Sequence, residues 1–94
     1  MSAEPHPLAR LELALGPNSA NPLTIISCQL PVAGNISLEV FDISGRKLVE
    51  LASGFHLPGE YRYVWNASAR AAGMYFVRLR AGEEKLIEKV GMLK

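Results

Sequence analysis

The sequence predicts an all-β fold, a sandwich of antiparallel strands, on three observations. Apolar side chains alternate with polar or small ones in short runs along most of the chain. Gly, Pro, Asn and Asp separate those runs at intervals of about 8 to 12 residues. No window of about eleven residues carries a helical period. Alternation with period two sends successive side chains to opposite faces of a sheet, so each run reads as a half-buried strand.

The first run is Leu11, Leu13 and Leu15, closed by Gly16-Pro17-Asn18. The second is Ile26, Cys28 and Leu30, closed by Pro31 to Asn35. Ile36, Leu38 and Val40 form the third, ended by the turn signal Asp42-Ile43-Ser44-Gly45. Val49 and Leu51 flank Glu50 in the fourth, with Ser53-Gly54 and Leu57-Pro58-Gly59 as the punctuation that follows and His56 in the loop between. Tyr61, Tyr63 and Trp65 make the fifth, and Tyr75, Val77 and Leu79 the sixth, opened by Ala72-Gly73. A turn at Ala81 to Glu84 leads into Leu86, Val90 and Met92, the seventh, where Glu88 interrupts the apolar face. Gly reaches positive φ and Pro lacks a ladder donor, so both belong between strands. Ala67 to Ala72 has helix propensity but length for little more than one turn. About seven short strands so spaced fit the immunoglobulin-like sandwich, with Ile26, Leu38, Val40, Trp65, Tyr75, Val77 and Leu79 inside.

Size and composition narrow the function. The 94 residues suffice for one domain. They are 49% hydrophobic and 20% charged, a globular balance. Ten basic against nine acidic side chains give +1, too little for nucleic-acid binding by bulk charge. The charge is uneven: residues 1–61 carry three basic and six acidic groups, residues 62–94 seven and three. Pro17, Pro22 and Pro31 interrupt the uncharged stretch from Leu13 to Leu38, which therefore cannot form a membrane helix. Residues 1–10, with two prolines, read as a flexible lead or linker remnant, and 11–94 as the domain.

Candidate chemistry is sparse. Cys28 is the only cysteine and sits on an inward-facing position, so it reads as a small hydrophobe. His6 and His56 have no companions at ligand spacing, and no metal or cofactor is expected. Asp42 and Gly45 read as turn residues, and Glu83 and Glu84 as a hairpin tip. No catalytic residue is expected. Asn35 and Asn66 begin glycosylation-type tripeptides, weak signals by themselves.

Five segments in order resemble the C-terminal sorting domains of the bacterial type IX secretion system. Pro17 to Pro31 is similar to the family's Pro-Asn-Pro opening and first strand ending in Leu-Pro, and Ala33-Gly34 follows as in the family. Ser37 to Arg46 resembles its strand and Asp-x-x-Gly-Arg turn. Leu57-Pro58-Gly59-Glu60-Tyr61 and Ala72 to Leu79 resemble its two Gly-x-Tyr elements, and Lys89 to Lys94 its closing Lys-hydrophobic-Leu-x-Lys tail. Ser19, Ala20, Cys28 and Gly91 depart from the pattern.

The resemblance implies a non-catalytic signal that directs a larger cargo protein through the outer-membrane translocon, with a sortase cutting the preceding linker. The implied partners are translocon and sortase proteins and an N-terminal cargo domain. Localisation would be export through the periplasm to the cell surface or medium. Gly59, Tyr61, Gly73, Tyr75, Lys89, Val90, Met92, Leu93 and Lys94 are the recognition residues it implies. The rival readings are a structural module like the immunoglobulin-like domain of flagellar hook-capping proteins, and an adhesion or carbohydrate-associated sandwich. The first would carry a longer, Asp-bearing loop after Trp65. The second would expose an aromatic platform, for which only Phe55 and Phe41 are available.

Overall fold

A computed structural model describes residues 10–16, 19–20 and 23–92. Among the described residues eight strands form: β1 (Glu12–Gly16), β2 (Ser19–Ala20), β3 (Leu23–Leu30), β4 (Gly34–Phe41), β5 (Lys47–His56), β6 (Gly59–Asn66), β7 (Gly73–Ala81) and β8 (Glu84–Met92). Seven are the strands expected from the alternation. The eighth, β2, has only two residues, too short for any periodic signal, and pairs parallel to the end of β8. The expected lead lies, apart from Arg10, outside the described residues.

One sheet has the order β1-β3-β6, the other β2-β8-β7-β4-β5. The turns β4–β5 and β7–β8 stay within a sheet, whereas β3–β4, β5–β6 and β6–β7 pass between sheets. Those crossings interlock the layers and make the sandwich immunoglobulin-like. The inward rows Leu38–Leu79–Leu86 and Val40–Val77 of one sheet meet Ile26, Cys28, Leu30 and Trp65 of the other. Ile26, Leu38, Val40, Val77 and Leu79 are fully buried, and Trp65 and Tyr75 nearly so. Each such aliphatic side chain contributes roughly 1.5–3 kcal/mol by leaving water.

Two local expectations are corrected. Ser53-Gly54 does not end a strand: β5 runs on to His56, which therefore lies in a strand and is half-buried. Gly54 takes φ 99° inside the ladder, opposite Ile36. Secondly, β5 contains two bulges, where Leu51 and Leu48 are extra residues against β4. Each bulge resets which side chains face inward. Leu48, Val49, Leu51 and Ala52 consequently all pack against the core, which strict alternation forbids. Ala67 to Ala72, with length for little more than one helical turn, is a turn closed by the Arg70 N–H donating to the Ala67 carbonyl at 2.9 Å. Asn66 Oδ1 accepts from the Ser68 N–H at 2.9 Å, and Ala67 is fully buried.

Candidate functional site

The two Gly-x-Tyr elements form the same corner twice. Tyr61 Oη donates to the Leu57 carbonyl at 2.7 Å, and Tyr75 Oη to the Ala71 carbonyl at 2.5 Å, each four residues back. The glycine two residues before each tyrosine has nearly the same backbone, φ 152° at Gly59 and 153° at Gly73. A side chain there would be strained, which is why glycine occupies both positions. Each corner turns the chain from one sheet to the other and ties the new strand to the loop behind it. Tyr75 packs edge-on against Trp65, with ring centroids 5.2 Å apart. Tyr61 packs edge-on against His56 at 5.0 Å. His56 Nδ1 lies 3.0 Å from the Gly54 carbonyl, which only accepts, so Nδ1 donates and Nε2 is left to accept from Tyr63 Oη at 3.4 Å. All four residues of the two Gly-x-Tyr elements are thus engaged in building the fold. The signal in the sequence was a repeated Gly-x-Tyr spacing, invisible to a search for longer repeats.

The turn between β4 and β5 is organised by one carboxylate. Asp42 Oδ1 accepts from the Ser44 N–H at 3.0 Å, the Ser44 hydroxyl at 2.7 Å and the Arg46 N–H at 3.0 Å. Gly45, at φ 90°, donates its N–H to the Asp42 carbonyl at 3.0 Å. The Ser44 hydroxyl first, then the Arg46 amide, hold the Asp42 carboxyl below its ordinary pKa.

Strand β8 divides the last group of residues. Val90 and Met92 are buried in the core and are not a surface apolar patch. Their inward direction is the one the alternation of the seventh run gives, and the register Tyr75↔Val90 and Gly73↔Met92 sets what they pack beside. Lys89 is exposed and lies in one outward row with Phe41 and Phe76. Leu93 and Lys94 lie outside the described residues. The Asp42 turn directly follows Phe41, so that turn and Lys89 meet at one end of the same outer face.

The next outward rows are Glu39–Arg78–Ile87 and Ser37–Arg80–Lys85. Glu39 is buried between Arg78 Nη2 at 2.6 Å and Lys47 Nζ at 3.5 Å. Burial acts to raise its pKa, but the hydrogen bond and charge of Arg78, joined by Lys47, outweigh that and hold it below its ordinary value. The Arg78 guanidinium also lies 4.5 Å from the Phe41 ring centroid. Phe41 is therefore half-buried, whereas Phe55 is exposed. Phe41, Asp42, Ile43, Phe76, Arg78 and Ile87 line an open groove of about 270 Å³ beside Lys89. The sequence showed the basic excess but could not show that Arg78, Arg80, Lys85 and Lys89 share this face.

Chemistry elsewhere is limited. Cys28 is buried, and burial raises its thiol pKa. Among the described residues no group of three His, Cys, Asp or Glu could hold a metal, and no helix is long and apolar enough to cross a membrane. Among the described residues Phe55 is the only exposed Phe, Tyr or Trp ring.

The fold defines a β-sandwich module whose outer face carries basic side chains beside an apolar groove. Residues 15–92 match the model of the secretion-system C-terminal sorting domain, and the chain belongs to that family. It is thus a sorting domain of type IX secretion, a kind that is carried by a larger cargo, engages the secretion machinery and marks its cargo for the cell surface or the medium. No curated protein and no solved structure matches the chain.

Proposed function

We propose that this domain is the export signal of a cargo protein that precedes it. The cargo crosses the inner membrane under its own N-terminal signal and travels through the periplasm. The folded domain then docks on the outer-membrane translocon. A surface sortase cuts the linker ahead of Leu11 and can join the cargo to a lipopolysaccharide. The domain itself does no chemistry. The observation that carries this reading is the family match over residues 15–92.

Recognition falls on exposed groups at the Asp42–Lys89 end, together with Leu93 and Lys94. Val90, Met92, Gly59, Tyr61, Gly73 and Tyr75 contribute by holding the shape that is read. The test is a reporter with an N-terminal export signal fused ahead of the domain, expressed in a type IX-proficient strain and in its translocon mutant. Export should require both the domain and the translocon. Lys89→Glu, and separately deletion of Leu93 and Lys94, should block it while the melting temperature falls by only a few degrees, since exposed charges contribute under about 1 kcal/mol. Normal export of the deleted fusion would refute the reading.

A further inference from the structure

Three surfaces lie beyond the two corners. The first is the outer edge of β6, and the second is the end of the molecule around exposed Val32, Phe55 and Leu57. The third is the outer face of the longer sheet, where an apolar concavity lies beside basic side chains that make no ion pair among the described residues. We propose that its groove receives an apolar side chain, phenylalanine or leucine, carried on an acidic extended segment of the secretion machinery. The source of that segment rests on the sorting reading above.

The groove has a floor and two walls. Phe41 and Phe76, adjacent in one cross-strand row, are half-buried and form the floor. Ile43, 77% exposed, and Ile87, 53% exposed, stand on opposite sides. Two isoleucines left in water around a concavity gain by covering, because apolar area leaves water in proportion to its extent. Neither is needed by the core. The Asp42 turn fixes the position of Ile43, and the β7–β8 ladder fixes Ile87. The site is therefore largely formed before anything binds, which lowers the cost of ordering it.

The border sets the charge of the partner. Arg78 is committed to Glu39 and Phe41. Arg80, Lys85 and Lys89 make no ion pair among the described residues. They occupy three outward positions on β7 and β8 next to the groove. Asp42, the carboxylate at the groove, is held by Ser44 and Arg46. Glu83 and Glu84, at the β7–β8 turn, share a hollow with Arg80 and Lys85 and lie farther from the groove itself. On the other sheet the outward charges Glu12, Glu60 and Arg62 are of mixed sign and select no partner charge. An anchor flanked by carboxylates matches both features, and the charges also speed encounter. An anionic membrane would satisfy the lysines but leave the concavity unfilled.

The test uses the intact domain and three fluorescent peptides: an acidic peptide with a central phenylalanine, the same peptide with alanine there, and a lysine-rich version. The phenylalanine peptide should bind about tenfold more tightly than the alanine one and weaken as salt rises, and the lysine-rich peptide should not bind. Ile43→Asp with Ile87→Asp should weaken binding about tenfold without lowering the melting temperature, as should Arg80→Glu with Lys85→Glu. On the secreted reporter, the same double variants should lose export about tenfold, whereas Arg62→Glu on the opposite face should not. Equal binding of the phenylalanine and alanine peptides, full binding by the Ile43/Ile87 variant, or its normal export would overturn the proposal. So would preferential binding to phosphatidylglycerol vesicles over the acidic peptide. If the unaltered fusion is not exported, the sorting reading falls, and the peptide measurements alone decide the groove.

Discussion

The corner at Leu57–Tyr61 and the corner at Ala71–Tyr75 share one local geometry and differ in what surrounds them. Both place glycine at φ near 152° and return a tyrosine hydroxyl to a carbonyl four residues back. Tyr75 is buried beside Trp65, deep in the sandwich. Tyr61 is half-buried beside His56, at the margin. A hydrogen bond is worth more where losing it strands a buried polar group. The same device should therefore carry unequal weight, and the inequality is set by packing and not by the motif.

The largest effect lies in the ring that supports the inner corner. Trp65→Ala should cost roughly 3–5 kcal/mol, a large share of a small domain's stability. Chemical denaturation would read it as a lower midpoint, and a midpoint near that of the native protein would place the ring outside the core. His56→Ala, the equivalent change at the outer corner, should cost well under half as much.

The glycines test the shared part. Gly59→Ala and Gly73→Ala should each cost about 1–3 kcal/mol, from backbone strain alone. An added Cβ meets nothing within 4 Å at Gly73 and only the Tyr61 ring edge at 4.0 Å at Gly59. Near-equal losses would support one geometry, and a neutral result at either position would break the equivalence.

The hydroxyls test the unequal part. Tyr75→Phe should cost about 1–1.5 kcal/mol and Tyr61→Phe about half of that, because water can replace the bond at the outer corner. Thermal melts of both variants and their double would check this. A larger loss at Tyr61 would invert the comparison.

The smallest effect separates both corners from the acid response. Asp42 and Glu39 have pKa values lowered from 3.8 and 4.5 in the folded protein. The folded state therefore holds fewer protons there than the unfolded state. Their stabilisation is complete above those ordinary values and is lost as pH falls through the lower folded ones. Asp42→Asn should flatten the acid limb of a plot of melting temperature against pH. The two Tyr→Phe changes should lower that plot evenly across the same range.

The pattern of side chains was enough for much of this. Alternation located the seven long strands and put Ile26, Leu38, Val40, Trp65, Val77 and Leu79 on inward positions, because a pleated chain exchanges faces at every residue. The Asp42 turn was equally legible, since its bonds close within five residues. Five segments in order pointed to the family that the chain belongs to.

Tertiary structure decided what depends on distant parts of the chain. Only pairing with β4 creates the bulges that turn Leu48 and Leu51 inward along with Val49 and Ala52. Glu39 on β4 becomes a buried anion because Arg78, 39 residues away, lies beside it. Val90 and Met92 become core, and the groove beside Lys89 exists, because β8 docks on β7 in that one register. Local alternation fixes which side chains share a face. Which faces meet is set by burying them together, a choice among pairings far apart in sequence that no single segment encodes.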